Sequence, residues 1–226
     1  MEWYCYLFQV PRTLGGAVSI TLCALIVGIL GYRSFRKAFR EIDTYRAGLR
    51  GERHAAQYLH DHCSPLGYRV FHDLPCNSDS GNPDFNIDHI LIGPAGIFPI
   101  ETKNWSKPPQ GTKAELLYTN DGETELLAKP NGSFDTHAIR QARANADFLR
   151  TLLARHTGRS SHSLPVHAVL LFPGWWITSR SRCEKLWIFS DNTLHKFLPK
   201  EPAHLSPEDI ALYAEALTAY LRGQKK

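Results

Sequence analysis

Cysteine is scarce in this sequence and never paired at metal-binding spacing. Five thiols stand at positions 5, 23, 63, 76 and 183 among 226 residues, with no C-x-x-C among them. An odd number at irregular intervals excludes a disulfide framework and a cysteine-rich zinc ribbon, leaving reduced thiols in a cytosolic body as the plain reading. The phosphate-cradling G-x-x-x-x-G-K-[ST] loop, the G-x-S-x-G elbow and the G-x-G-x-x-G turn are all missing. Nucleotide hydrolysis, elbow-type acyl transfer and dinucleotide binding therefore lose their supporting motifs, and no nucleotide cofactor is expected. Repeats and low-complexity tracts are absent too. The globular part also lacks net charge. The formal +4 belongs wholly to residues 1–40, which hold five basic groups and one acid, whereas 21 basic and 21 acidic residues follow from Glu41 onward. A histone-like basic chain and an acidic disordered chain are both excluded. A hydrophobic content of 43% is ordinary for a folded protein, and the roughly 185 residues after position 40 suit one domain with a real core.

What is present begins with a run free of charge. Leu14 to Tyr32, LGGAVSITLCALIVGILGY, carries no charged residue over nineteen positions. As a helix it measures about 28 Å, close to the hydrocarbon thickness of a bilayer. Arg33, Arg36, Lys37 and Arg40 follow at once, against Arg12 alone on the other side. The positive-inside bias then predicts a single-pass span of the inner membrane, N-terminus out and body in the cytoplasm. A cleaved signal peptide has the opposite charge order, and a buried core helix would not be flanked by RSFRKAFR. The expected layout is a short outer segment 1–13, a transmembrane helix 14–32, a basic linker 33–45, a body 46–200 and a C-terminal helix 201–226.

Periodicity and breakers predict the body's elements. Ile42–Cys63 reads as a helix, Tyr68–Leu74 as a strand, and Cys76–Pro83 as a loop. Phe85–Ile92 and Ile97–Trp105 read as two strands around the turn Gly93-Pro94-Ala95-Gly96. Weaker strands at Ala114–Thr119 and Glu123–Ala128 join across Asn120-Asp121-Gly122. A long helix is expected over Phe134–His156, strands at Val166–Phe172 and Leu186–Ser190, and a final helix over Ser206–Arg222. This order describes an α/β sheet layered with helices. Charge inside the body is polarised: residues 41–136 carry −6 and residues 137–200 carry +7. Arg140, Arg143, Arg150 and Arg155 in the second segment suit either a solvated helix face or a surface that binds polyanions.

The chemistry-bearing stretch is the hairpin. If its turn centres between Pro94 and Ala95, Asp88 falls opposite Glu101, with Cβ atoms about 5 Å apart. Like charges so placed repel, and strand alternation sets Lys103 on the same face as Glu101. Two readings fit: a salt-bridge cluster neutralised by the lysine, or a pair of hard oxygen donors for a cation such as Mg²⁺ that keeps some of its waters. Pro99 removes a ladder donor inside this strand, so it must face an unpaired side or a bulge, and a bulge would spoil the opposition. Asp84, in Pro83-Asp84, lies four residues before Asp88; only Asp88 faces Glu101. His60-Asp61-His62-Cys63 has metal-binding residue types, but its two histidines point to different sides of a helix. Trp175-Trp176 suits either stacking on nucleobases or packing on the sheet.

NIDH and IETKNW resemble the D…ExK signature of restriction-endonuclease-like PD-(D/E)XK nucleases. The longer run is more closely similar to the nuclease-related domain family, NERD: Gly51-Glu52 in LRGERHAAQYL, then YRVFHDL, then NIDHILIGPAGIFPIETKNW, then HAIRQARANADFLRTLL with Gln141 and Asn145, then VHAVLLFPG. The resemblance covers about 46–174 and implies an αβββαβ core, a mixed sheet flanked by helices, preceded here by one transmembrane helix. It implies that Asp88 and Glu101 hold Mg²⁺, or Mn²⁺, with the Thr102 carbonyl as a further ligand. Lys103 would orient or help deprotonate the attacking water and stabilise charge in the transition state. Glu52 would contact the metal's water or position Lys103; as a bare helix residue it reads equally as an exposed carboxylate. Gln141 would touch the substrate backbone at the rim, where a plain polar surface contact is the alternative, and Arg140 and Arg143 would add basic contacts. The implied partner is nucleic acid, DNA before RNA. Two functions follow: a membrane-anchored metal-dependent nuclease, or an inactive module of the same fold that tethers nucleic acid or a protein at the membrane.

Overall fold

Helix α1 (Leu14–Cys63) opens the computed structural model, which describes residues 14–76, 85–120, 124–179 and 186–224. Segment 1–13, the expected loop residues up to Pro83 with Asp84, Asp121 and Gly122 of the expected turn, and Cys183 lie outside the described residues. The chain divides into two units, Met1–Ala47 and Gly48–Lys226. In the first, the apolar side chains of α1 point outward all round: Val18, Leu22, Leu25 and Val27 are each more than half exposed. The most apolar window of α1 has mean hydropathy 1.8 and none of it is buried. By length and composition this helix could cross a membrane. Residues 33–45, expected as a linker, are helical. No glycine or proline interrupts them, and Lys37 pairs with Glu41 one turn on at 3.9 Å.

In the second unit a five-stranded sheet has the order β1-β2-β3-β7-β9: β1 (Arg69–Cys76), β2 (Phe85–Gly93), β3 (Gly96–Thr102), β7 (Ala168–Leu171) and β9 (Leu186–Phe189). The β1-β2-β3 part is antiparallel, and β7 and β9 add in parallel. Helix α2 (His137–Thr157) and helix α4 (Pro207–Gln224) share one core with one face of the sheet, through Ile90, Ile97, Leu149, Leu153 and Leu217. The C-terminal part of α1 and the one-turn helix α3 (Leu194–Phe197) cover the other face around Leu59, Phe98, Ile100 and Val169. The order α1-β1-β2-β3-α2-β7 is the expected αβββαβ core, a mixed sheet between helices.

A smaller four-stranded sheet runs β6-β5-β4-β8, with β4 (Glu115–Asn120), β5 (Glu125–Ala128), β6 (Phe134–Asp135) and β8 (Trp176–Ser179). Here the expectations need correcting. Phe134 and Asp135 do not begin α2; they pair with β5, and the Asp135 carboxylate caps the helix by accepting the Ala138 amide at 2.8 Å. Strand β8 was not expected at all, and pairs in parallel with β4 from far along the chain.

Pro99 causes no bulge. The β2–β3 register keeps one offset from Gly93↔Gly96 through Ile90↔Pro99 to His89↔Ile100. The gap falls on the other side, where contact with β7 passes from the Ile97↔Val166 bridge straight to Ile100↔Val169. Proline's missing donor is absorbed there.

Candidate active site

The site lies where β2 and β3 part. Continuing the observed register by one residue sets Asp88 opposite Glu101, but the ladder stops at His89↔Ile100. Instead the Asp88 carboxylate accepts the backbone N–H of Thr102 at 2.8 Å. On the far side β3 stays tied to β7, with Glu101↔Leu170 in register and the Lys103 amide bonded to the Leu171 carbonyl at 2.9 Å. One edge of β3 is thus held by backbone, the other by a side chain.

Glu101 is 3% exposed. Its Oε1 accepts from Lys103 Nζ at 2.7 Å and its Oε2 from Asn145 Nδ2 at 3.0 Å. Lys103 Nζ also donates to Gln141 Oε1 at 3.0 Å. Gln141 and Asn145 are four apart on α2, so both reach the same spot from one helix face. Gln141 was expected as a substrate contact; here its amide oxygen holds the lysine, and the residue also lines an adjoining cleft. That cleft, about 390 Å³, is bounded by Phe85, His137, Arg140, Ala144 and Asn145 as well. Arg140 is exposed on it. Arg143 faces elsewhere: its guanidinium makes a two-armed ion pair with Glu125, tying α2 to β5.

Glu52 arrives from the other face of the sheet because Gly51 allows it. A Cβ at Gly51 would sit 2.2 Å from Cβ of Asn104, the residue after Lys103, so only glycine lets α1 approach the strand end this closely. Glu52 is half-buried. Burial, and then the charges of Asp73 and Glu101, push its carboxyl above the usual range, against the pull of Lys103. Asp88 is pushed up to about 7, first by burial, then by Glu101, with Glu52 adding to it; the Thr102 amide and Lys103 oppose the shift.

Two contributors received no role from the sequence alone. Asn145 is fully buried and clamps Glu101; its spacing from Gln141 was the available signal. Asp73 has φ +50, a strained left-handed backbone for aspartate, and the β1–β2 register passes from His72↔His89 to Leu74↔Ile87 with Asp73 opposite Asp88 between them. Among weaker candidates, His62 stacks on His195 with ring centroids 4.8 Å apart. His60 and His62 are exposed.

The donors can be tested against a divalent cation. Among the described residues no three of His, Cys, Asp and Glu gather closely enough to cage a metal. A cation here would rest on Asp88 and Glu101, with its other positions left to water or phosphate, the manner in which Mg²⁺ is commonly held. Asn145 Oδ1 and Thr102 Oγ1 are buried without a hydrogen-bond partner among the described residues, and ordered water would supply the missing donors. Two hard oxygen donors, a raised proton affinity at Asp88 and orphaned polar atoms fit such an ion.

Comparison with curated proteins and with solved structures returns no match. The family model of the nuclease-related domain does match, over residues 47–173, from just before Gly51-Glu52 to the end of β7. That span is more than half of the chain and contains every site residue named above, and so the protein belongs to the nuclease-related domain family, NERD.

Proposed function

We propose that this protein is a membrane-anchored, divalent-metal-dependent nuclease that hydrolyses phosphodiester bonds in DNA. One observation carries the reading: Asp88 and Glu101 lie at the point where β2 and β3 part, one step beyond their last paired residues, with the Lys103 ammonium 2.7 Å from Glu101. In hydrolysis water adds to phosphorus, the bond to the leaving sugar oxygen breaks, and a proton ends on that oxygen. Asp88 and Glu101 would hold Mg²⁺ or Mn²⁺, and the Thr102 carbonyl is the further candidate ligand; the ion supplies a Lewis acid for the scissile phosphate. Lys103 has three N–H donors. Two are spent on Glu101 and Gln141, which fixes the ammonium and leaves the third for the attacking water or a phosphate oxygen. Fixing matters because a donor that need not reorganise stabilises the developing charge best. Glu52 adds negative charge at the mouth, and Arg140 offers a backbone contact in the cleft. Arg143, paired with Glu125, supports the position of α2.

The test is cleavage of plasmid and oligonucleotide DNA, with RNA for comparison, by the full chain in detergent with Mg²⁺ or Mn²⁺. Wild type should cut, and Asp88→Ala and Lys103→Ala should cut far more slowly; equal activity in all three would sink the reading, and no activity in any of them would favour a tethering module. The apolar part of α1 and the basic residues after it support an anchor with the body in the cytoplasm. Protease should then digest the body in inverted membrane vesicles and spare it in intact cells. Release of the chain by alkaline carbonate would contradict the anchor.

A further inference from the structure

The four-stranded sheet has one face in the core and one in water. Leu116, Tyr118 and Leu127 are fully buried, and Ile177 packs against the same cluster. Alternation sends their neighbours outward. Phe134 pairs with Ala128, Ala128 with Leu117, and Leu117 with Thr178, so these four form one row across the outer face. Trp176 stands two residues along β8 from Thr178, on the same face and beside Glu115. An open groove of about 430 Å³ lies over Leu117, Ala128 and Thr178 of this row, with Lys113 and Lys129 also lining it.

The solvent face of a half-buried sheet ordinarily carries polar residues. This one ends in two large rings instead: Phe134 is 67% and Trp176 71% exposed. Trp175 next door shows what an indole does when packing is its role, being 4% exposed with its N–H donating to the Trp105 carbonyl. Three inter-strand steps separate Phe134 from Trp176, about 14 Å across the sheet. The groove is joined to the catalytic strand, because Lys129 Nζ lies 3.7 Å from the centre of the Trp105 ring, and Trp105 is two residues past Lys103.

We infer that this outer face is a stacking platform for single-stranded nucleic acid, the unpaired flank of the strand being cut. Rings on the two outer strands of the face that the groove crosses accept unpaired bases, and the lysines lining the groove meet their phosphates. A duplex keeps its base faces stacked inward and offers none to Trp176 or Phe134. A protein partner would favour an interface centre depleted of charge, whereas this groove has two lysines and Glu115, which accepts a hydrogen bond from Thr178 Oγ1. The inference deepens the nuclease reading and rests on it for its biological use, but its test is independent of cleavage.

The experiment is a fluorescence-anisotropy titration of full chain in detergent against labelled oligo-dT, oligo-rU and a DNA duplex of equal length, in EDTA at fixed salt. Trp176→Ala and Phe134→Ala should each weaken oligo-dT binding by about five- to a hundredfold. Duplex binding should change by less than about twofold, and Trp176→Phe should recover most of the loss, since it restores a ring. The rU arm separates RNA from DNA as the occupant. An unchanged melting temperature for the variants keeps a folding defect out of the comparison. Absence of oligonucleotide binding by wild type, unchanged binding in both alanine variants, or an equal loss on duplex would each overturn the platform. A platform that survives in a chain that never cuts DNA would remove the nuclease reading alone, and cutting without any effect of Trp176→Ala would remove the platform alone.

Discussion

At the five-stranded sheet Glu101 on β3 and Asn145 on the helix α2 that covers it are withdrawn from water, at 3% and 0% exposure, while in the four-stranded sheet Trp176 and Phe134 are the most exposed large hydrophobic side chains among the described residues of the body. Each sheet reverses the usual sorting of charge to the outside and rings to the inside. Burial of a carboxylate costs stability unless it is paired, and Asp88 is only partly compensated, by one backbone amide and a distant lysine. An exposed indole on a strand contributes little to folding and promotes association. The two reversals lie on one path, from Glu101 and Lys103 through Trp105 and Lys129 to the groove. On the proposed reading the first sheet acts on a phosphate and the second holds the strand that bears it.

That division can be broken by substitutions that should separate the two activities. The largest expected effect is on cleavage: Lys103→Ala should lower the rate by roughly 10²–10³-fold, the scale of losing one preorganised donor, while oligo-dT affinity stays within about twofold. A matching loss of oligo-dT binding would show that the sheets do not divide the work. A smaller effect concerns stability. Because the Asp88 pKa is raised from 3.8 to about 7, the metal-free folded chain keeps a proton between about pH 4 and 7 that the unfolded chain has lost. Stability from this group is therefore full below pH 4 and declines as pH rises to 7. Asp88→Asn keeps an acceptor for the Thr102 amide and removes the charge. It should melt with wild type near pH 4 and above it at pH 8, by on the order of 4 kcal/mol, or roughly 8–16 °C. Identical melting at both pH values would mean that Asp88 carries no buried charge. Trp176→Ala should show no such pH-dependent difference.

The hairpin was legible because a two-residue turn leaves one register, and the register decides which side chains oppose each other. Gly93-Pro94-Ala95-Gly96 supplied that turn, and Asp88, Glu101 and Lys103 followed by counting. Pro99 had two solutions on paper; contact with β7, which no local pattern reveals, selected the one without a bulge. Asn145 stood in the recognised helix motif but without a role, for a related reason. Its role depends on how α2 docks on the sheet, and helix spacing shows only that it shares a face with Gln141. Asp73 needed the β1–β2 register, which a long connection does not determine. Strand β8 is four residues long and pairs with β4 some sixty positions earlier, so neither length nor periodicity announced it. Of the double tryptophan's two readings, packing holds for Trp175, while Trp176 faces water.

The most direct test of a carboxylate pair arranged around a divalent cation is Mn²⁺ binding to the metal-free full chain in detergent, followed by electron paramagnetic resonance. One saturable Mn²⁺ per chain is expected, displaced by Mg²⁺, lost in Asp88→Asn and retained in Trp176→Ala. No saturable binding, or binding undiminished in Asp88→Asn, would contradict it.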